Sequence, residues 1–186
     1  MAQLMRCRSC GYVLQEKELG GICPACGVPR KMFEAWADPV SERRRILLGF
    51  DAHPIIDHFT ISFAASAFVL SLFVFIFPQV FRQTLTGIVR GLIIVLPFAV
   101  ISSFLSGLFD GKVRFRRTNT PLLTRKKVLG GLFFLFSAAV AVLTFAVGPF
   151  ETWVRALNAA LLAGCVGCAA ALGRIGGTLL TAMFPG

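Results

Sequence analysis

The chain has 186 residues, of which 56% are hydrophobic and only 15% are charged, and its formal net charge is +10. Soluble domains are about 25% charged, so this composition excludes an ordinary soluble protein and indicates a polytopic membrane protein. The positive charges fall mostly between apolar stretches, so membrane topology explains them better than nucleic-acid binding does.

Two cysteine pairs open the chain, Cys7-x-x-Cys10 and Cys23-x-x-Cys26. Four thiolates in this pattern form a tetrahedral sulfur site, a geometry that selects zinc or a single iron. A segment of about 36 residues buries too little apolar surface to fold unaided, so we expect the metal to stabilise it. No apolar signal segment precedes the cysteines, which predicts a reducing cytoplasmic setting and metal ligands, not disulfides.

A glycine directly follows the second cysteine of each pair, at Gly11 and Gly27. Glycine adopts positive φ freely, so we expect a tight turn at each position that points backbone N–H groups at the sulfurs. Such hydrogen bonds tune the potential of an iron–thiolate centre.

The segment from Met5 to Glu34 resembles a rubredoxin-like domain, specifically the short form at the carboxy end of rubrerythrins. It has the same compact spacer, a Gly-Tyr-Val sequence after the first cysteine pair, and a Phe-Glu ending. The resemblance implies one iron that cycles between the ferric and ferrous states. Its ligands would be Cys7, Cys10, Cys23 and Cys26. The di-iron helical domain of rubrerythrins has no counterpart in this sequence, so no peroxidase activity is implied. The alternative is a structural zinc ribbon that holds a docking surface.

Four apolar spans follow the cysteine domain, and each is close to the roughly 20 residues that a bilayer requires. They cover about 55–77, 87–109, 128–150 and 153–183. The sequence therefore predicts a mostly α membrane protein, with a rubredoxin-like domain at 1–36, a linker with an interfacial helix at 37–52, and a four-helix transmembrane domain at 53–186.

Cationic residues are concentrated in the linker, at 43–45, and in the loop between spans two and three, at 112–127. The positive-inside rule places both of these segments in the cytoplasm, and with them the amino and carboxy ends of the chain. We therefore expect a multi-pass protein of the cytoplasmic (inner) membrane.

Span one opens with a motif that contains the two histidines of the chain, His53-Pro54-Ile55-Ile56-Asp57-His58-Phe59. This motif is similar to the start of an uncharacterised family of small bacterial four-helix membrane proteins, which begin His-Pro-x-x-x-His-Phe. The Ser106–Gly111 segment at the end of span two also suits that family. The resemblance implies an architecture and no particular activity.

Ionisable groups at membrane depth are costly and usually functional. His53 and Asp57 share a helix face, and we expect them to converge with His58 and Asp110 at the cytoplasmic edge. One interpretation is a quinone headgroup site, which needs a hydrogen-bond donor and a proton acceptor. A haem held by both histidines of one chain is disfavoured, because neighbours on one helix cannot easily bracket an iron; a haem shared with a partner chain stays open. The third interpretation is helix capping and contact with lipid headgroups.

Span four contains a further pair, Cys165-x-x-Cys168, among glycines and alanines. Two thiols at this spacing could bind a metal or form a redox pair, but their surroundings favour a packing role. Small residues such as Gly173 and Gly177 let helix backbones approach closely, which is compatible with a homo-oligomer.

These features together predict a membrane-anchored electron carrier, and no catalytic residues of a stand-alone enzyme. Its iron would pass electrons between a cytoplasmic dehydrogenase or flavoprotein and the membrane quinone pool. Its expected partners are the lipid bilayer and a cytoplasmic redox protein or other complex subunits, without nucleic acid. The alternative is a zinc-ribbon membrane adaptor or assembly subunit without redox chemistry. A transporter is disfavoured because the span midplanes hold almost no charge.

Overall fold

The computed structural model describes residues 3–37, 46–47, 49–50, 52–77, 79, 81–115, 119–147 and 152–181. The chain divides into two compact units, a small amino-terminal unit and a larger helical unit. Most of the predicted linker and interfacial helix at 37–52 lies outside the described residues.

The amino-terminal unit is built on a three-stranded antiparallel sheet of strands β1 (Leu4–Cys7), β2 (Val13–Gln15) and β3 (Phe33–Trp36). The strand order is β2-β1-β3, so the first strand lies in the centre. Short 3-10 turns at Glu16–Glu18 and Arg30–Met32 lie in the connections between strands.

The core of this unit is very small. Its buried side chains are Cys7, Leu14, Leu19, Cys23 and Phe33. Two of these five are cysteines of the predicted metal site, and Cys7 lies opposite Phe33 in the register of β1 and β3. Because so little apolar surface is buried, a bound metal must supply much of the stability of the unit.

The helical unit consists of α1 (Ala52–Ile76), α2 (Arg82–Phe115), α3 (Pro121–Ala146) and α4 (Thr152–Thr181). All four are long and apolar enough to cross a membrane. Only 17–28% of their most apolar windows is buried inside the protein, so lipid must cover most of this surface. The predicted fold class, a mostly α membrane protein with four spans and a small amino-terminal domain, is confirmed.

Two helices extend beyond the spans that hydropathy marks. Helix α2 has 34 residues and continues past position 109 to Phe115. Helix α3 begins at Pro121 instead of about position 128, because Thr120 caps it by accepting a hydrogen bond from the Leu123 backbone N–H at 3.4 Å. Capping and a proline in the first turn determine where a helix begins, whereas hydropathy marks only its lipid-covered part. The cationic residues of the loop therefore lie partly on helices.

Polar side chains join the helices inside the bundle. The hydroxyl of Thr60 on α1 is buried and lies 3.1 Å from the Ala99 carbonyl oxygen of α2, to which it donates. The Nδ2 group of Asn158 on α4 donates to Oγ1 of Thr144 on α3 at 3.0 Å. Because a lipid environment offers no water, such hydrogen bonds fix which helices are neighbours.

The small residues of span four, which forms α4, lie in different environments. Cys165 and Cys168 belong to the buried core of the helical unit, in keeping with a packing role. Gly164 faces Phe136 of α3, whose ring atoms lie 3.0 Å from the place that a Cβ would take at that position. Among the described residues, nothing lies within 4 Å of such a Cβ at Gly173 or Gly177.

Phe104 of α2 lies over Gly130 of α3. A Cβ built on Gly130 would lie 2.7 Å from Phe104 Cδ2, which is closer than real Cβ contacts allow. The adjacent Gly131 has nothing within 4 Å. Gly130 thus permits a close approach that no other residue could accommodate without movement.

We expect Gly130→Ala to lower the free energy of unfolding of the helical unit by about 1–3 kcal/mol, because overpacking displaces the Phe104 ring. Gly131→Ala is the matched control, since it makes the same change one residue away in open space and should leave stability unchanged or raised by about 0.5–1 kcal/mol. Denaturant titration of both variants in one detergent checks this. Equal effects in both would show that the close approach contributes nothing to stability.

Candidate functional site

The two cysteine pairs have nearly identical backbone turns. Gly11 and Gly27 adopt φ values of 77° and 76°. The Gly11 backbone N–H donates to the Cys7 carbonyl oxygen at 2.8 Å, and that of Gly27 donates to the Cys23 carbonyl oxygen at 2.9 Å. The tight turns predicted from the glycines are confirmed, and they require glycine because other residues rarely adopt this φ.

The four sulfur atoms form one cluster. All of them lie within 4.8 Å of one another, and the Cys7–Cys26 and Cys10–Cys23 sulfur pairs are each 3.8 Å apart. A metal bonded to four sulfurs at about 2.3 Å in a tetrahedron sets a sulfur–sulfur edge of about 3.8 Å. The residues therefore fit a single tetrahedral ion of zinc or iron.

The ligand set has an inner and an outer side. Cys7 and Cys23 are buried in the core of the unit, whereas Cys10 and Cys26 are exposed. An ion held by these four sulfurs would thus be anchored to the core on one side and accessible to a docking partner on the other.

Backbone hydrogen bonds reach the sulfurs, as the glycine turns predict. A bond from the Tyr12 backbone lowers the pKa of Cys10, but desolvation and hydrogen bonds to the other three sulfurs outweigh it and raise that pKa to about 12. Desolvation raises the pKa of Cys23, but backbone bonds from Cys26 and Ala25, with thiol hydrogen bonds, lower it to about 7. Without a cation the four groups cannot all ionise together, so a metal must displace protons when it binds.

Residues 6–34 match a family model described as "Rubrerythrin, rubredoxin-like domain". Comparison with curated proteins and with solved structures gives no significant match. The amino-terminal unit is therefore a rubredoxin-like domain with four cysteines placed to bind one metal ion. The chain as a whole is a membrane protein that carries this metal-binding domain.

We expect Cys7→Ser to reduce the bound metal to roughly a tenth or less of one ion per chain and to unfold the amino-terminal unit, because Cys7 is both a ligand and a core residue. Cys165→Ser is the matched control, since it removes a buried thiol from the helical unit. Metal analysis and limited proteolysis of the two purified variants check this. Full metal content in Cys7→Ser would mean that Cys7 is not a ligand.

A second candidate site is a cavity of about 90 Å³ within the helical unit. All four helices contribute to its wall. Its polar lining consists of His53, Asp57, Thr60, Ser103, Lys126 and Lys127. Its apolar lining includes Val100, Phe104, Leu108, Leu123, Phe133 and Leu172. A single water needs about 10–15 Å³, so the cavity can hold a group of several atoms.

His53 and Asp57 form the centre of a hydrogen-bonded network between α1 and α2. His53 Nε2 lies 3.5 Å from Asp57 Oδ2, and its Nδ1 lies 3.1 Å from Ser106 Oγ. Ser103 Oγ donates a hydrogen bond to the other carboxylate oxygen of Asp57. The His53 side chain is only 14% exposed, so its ring is held in one position.

The hydrogen bonds of this network fix where protons reside. Ser106 Oγ lies 2.9 Å from the Ser103 carbonyl oxygen and donates its single proton there. Nδ1 of His53 must therefore donate to Ser106 Oγ, which leaves Nε2 facing the Asp57 carboxylate. The Nε2 atom of His53 and the Asp57 carboxylate therefore face each other at the cavity wall.

The other two residues of the predicted cofactor site are not part of the cavity lining. His58 is exposed and does not line the cavity, which agrees with its angular separation from His53 around the helix. Asp110 pairs with Arg114 of its own helix at 3.3 Å and also lies outside the lining. The structure thus brings together His53 and Asp57 of the four predicted residues, and any cofactor role for His58 and Asp110 stays a prediction.

Sequence reasoning missed Ser103 and Lys126 as lining residues and Ser106 as the partner of His53. Ser103, Ser106 and Gly107 share one face of α2, and this polar stripe in an otherwise apolar span was the available signal. Lys126 carried no signal beyond topology, because a basic loop predicts many cations and does not tell which of them turns inward.

Gly107 is the contact on which the His53 ring rests. A Cβ at this position would lie 2.9 Å from His53 Cε1 and 3.2 Å from Nε2, whereas a Cβ at Gly111 would meet only Leu123 at 3.9 Å. We expect Gly107→Ala to displace the imidazole and break its hydrogen bond to Ser106, and Gly111→Ala to leave it intact.

Nitrogen-15 NMR of labelled protein checks this, because His53 and His58 are the two histidines and His58→Gln assigns their signals. The Nδ1–H signal of His53 should shift and exchange faster with water in Gly107→Ala, with His58 unchanged. An unchanged His53 signal would show that the glycine does not hold the ring.

Proposed function

We propose that this protein is a membrane-anchored electron carrier, in which the rubredoxin-like domain binds one iron and supplies electrons to a quinone in the membrane. The observation that carries the proposal is the four-sulfur site on a chain with four membrane-spanning helices. Bound by four thiolates, an iron exchanges a single electron between its ferric and ferrous states.

The rubredoxin-like domain suits an exchange with a soluble partner. Cys10 and Cys26 are exposed, so a protein that docks on that side comes close to the metal ligands. We propose a cytoplasmic flavoprotein or dehydrogenase as the electron donor. The proposed orientation, with both chain ends in the cytoplasm, rests on the positive charge of the linker and of the loop between α2 and α3.

The acceptor side must meet a proton requirement, because reduction of a quinone to a quinol consumes two electrons and two protons. One iron would supply the two electrons in two successive single-electron transfers and would be reduced again by the donor between them. The His53–Asp57 pair supports this role, since it places an imidazole and a carboxylate side by side at the wall of a largely apolar cavity, and an imidazole can pass protons near neutral pH. His58 and Asp110, near the same helix ends, are proposed as groups that return protons to the pair from the water phase.

The rival function is a zinc-ribbon adaptor, which the same sulfur geometry permits. Metal identity separates the two. We expect about one iron per chain in protein purified without oxygen, together with a visible iron–thiolate absorption that bleaches on reduction. A colourless protein with stoichiometric zinc would overturn the carrier proposal and favour the adaptor.

Quinone reduction provides the functional measurement. The chemically reduced iron protein, reconstituted in lipid, should convert a short-chain quinone to its quinol, and Cys7→Ser should reduce this rate to background while Cys165→Ser retains it. The His53–Asp57 pair should affect quinone reduction without affecting metal binding, so Asp57→Asn should keep the iron spectrum and lose most of the rate of quinone reduction. Equal rates in wild type and Cys7→Ser would rule out the carrier function.

A further inference from the structure

One cation in the lining of the cavity takes no part in the hydrogen-bonded network of His53 and Asp57. Lys126 of α3 lines the cavity and is only partly exposed. Its Nζ atom lies beside α4, 3.8 Å from where a Cβ of Gly176 would be. Within the part of the chain that the structure describes, this ammonium has no hydrogen bond or ion pair.

The neighbouring cations either have a protein partner or lie outside the cavity lining. Lys127 donates to Asn119 Oδ1 at 2.9 Å, and Arg114 is paired with Asp110. Arg125 is exposed and is not part of the cavity lining. A partly buried ammonium without a protein partner is costly, and a ligand oxygen would offset that cost.

We propose that this cavity binds the ring of a neutral quinone, with Lys126 donating a hydrogen bond to one ring oxygen and the His53–Asp57 pair facing another. The inference rests on the proposed function and deepens it, since it names the site and a binding residue that the sequence did not indicate. Lys126 is a binding and positioning residue that sets the orientation of the ring.

Charge and shape favour a neutral ligand over an anionic lipid headgroup. The Asp57 carboxylate lies in the same wall and would repel a phosphate, and the Lys127 ammonium, which also lines the cavity, already donates to Asn119. A carbonyl oxygen can accept from an ammonium without adding charge, and it gains a charge-assisted hydrogen bond. The rings of Phe104 and Phe133 supply apolar surface against which a planar ring can pack.

Binding can be tested separately from electron transfer by loading the full chain with zinc, which has no redox chemistry. The probe is decylubiquinone, titrated calorimetrically into zinc-loaded protein in phosphatidylcholine nanodiscs. We expect saturable binding at one site per chain. Lys126→Met should raise Kd by roughly tenfold or more, because it removes a charged hydrogen-bond donor at nearly constant length.

Arg125→Met is the matched control, since it removes the same charge from the adjacent, outward-facing position and should leave Kd within about twofold. Zinc content and thermal midpoint verify that each variant is folded. Should Lys126→Met fail to fold, Gly173→Leu tests the cavity by filling it, because Gly173 lines the cavity and a Cβ there meets nothing within 4 Å. This variant should abolish binding without a change of charge.

Three results would overturn the inference: no saturable binding to the wild type, an unchanged Kd in a folded Lys126→Met or Gly173→Leu variant, or an equal loss in Arg125→Met. Displacement of the quinone by phosphatidylglycerol added to the disc would also overturn it, because the site would then prefer an anionic headgroup. Binding to the zinc form with no quinol produced by the iron form would instead uphold the site and refute the electron carrier.

Discussion

Inside a bilayer a polar group finds no water, so the helical unit is under a constraint to pair its buried polar groups within the protein. Thr60 and the Nδ2 group of Asn158 satisfy this constraint by donating hydrogen bonds to neighbouring helices. The His53 ring satisfies it through Ser106 on one side and Asp57 on the other. The positions of the helices and the network around His53 therefore both depend on hydrogen bonds between helices, and a change in helix packing would alter both.

The amino-terminal unit depends on a different interaction. Two of its five buried side chains are cysteines of the four-sulfur cluster, so the core and the candidate metal site share two residues. We therefore expect folding and metal binding to be coupled, and the glycine turns at Gly11 and Gly27 to serve both by bringing the sulfurs to a common centre. Zinc or iron would satisfy this geometry equally well, so the fold of this unit does not decide which metal it binds or whether it transfers electrons.

Within the cavity, charge is arranged asymmetrically. A carboxylate and an imidazole of α1 occupy one wall, and two ammonium groups, those of Lys126 and Lys127, come from α3. Gly107 has a definite part in that arrangement, because the absence of a Cβ there lets the His53 ring approach α2. A site of this kind suits a neutral ligand with acceptor oxygens, and it connects the histidine motif to the proposed chemistry of the metal domain.

The sequence by itself determined the four cysteines of the candidate metal site and the four spans, because cysteine spacing and hydropathy are local properties that survive in any arrangement of the helices. It also placed His53 and Asp57 on one face, since that follows from helical periodicity alone. It could not tell that His58 and Asp110 lie outside the cavity or that Lys126 lines it. Those assignments depend on how helices from distant parts of the chain are rotated and packed against one another. Close contacts such as that of Phe104 with Gly130 determine this packing, and they form only in the folded protein.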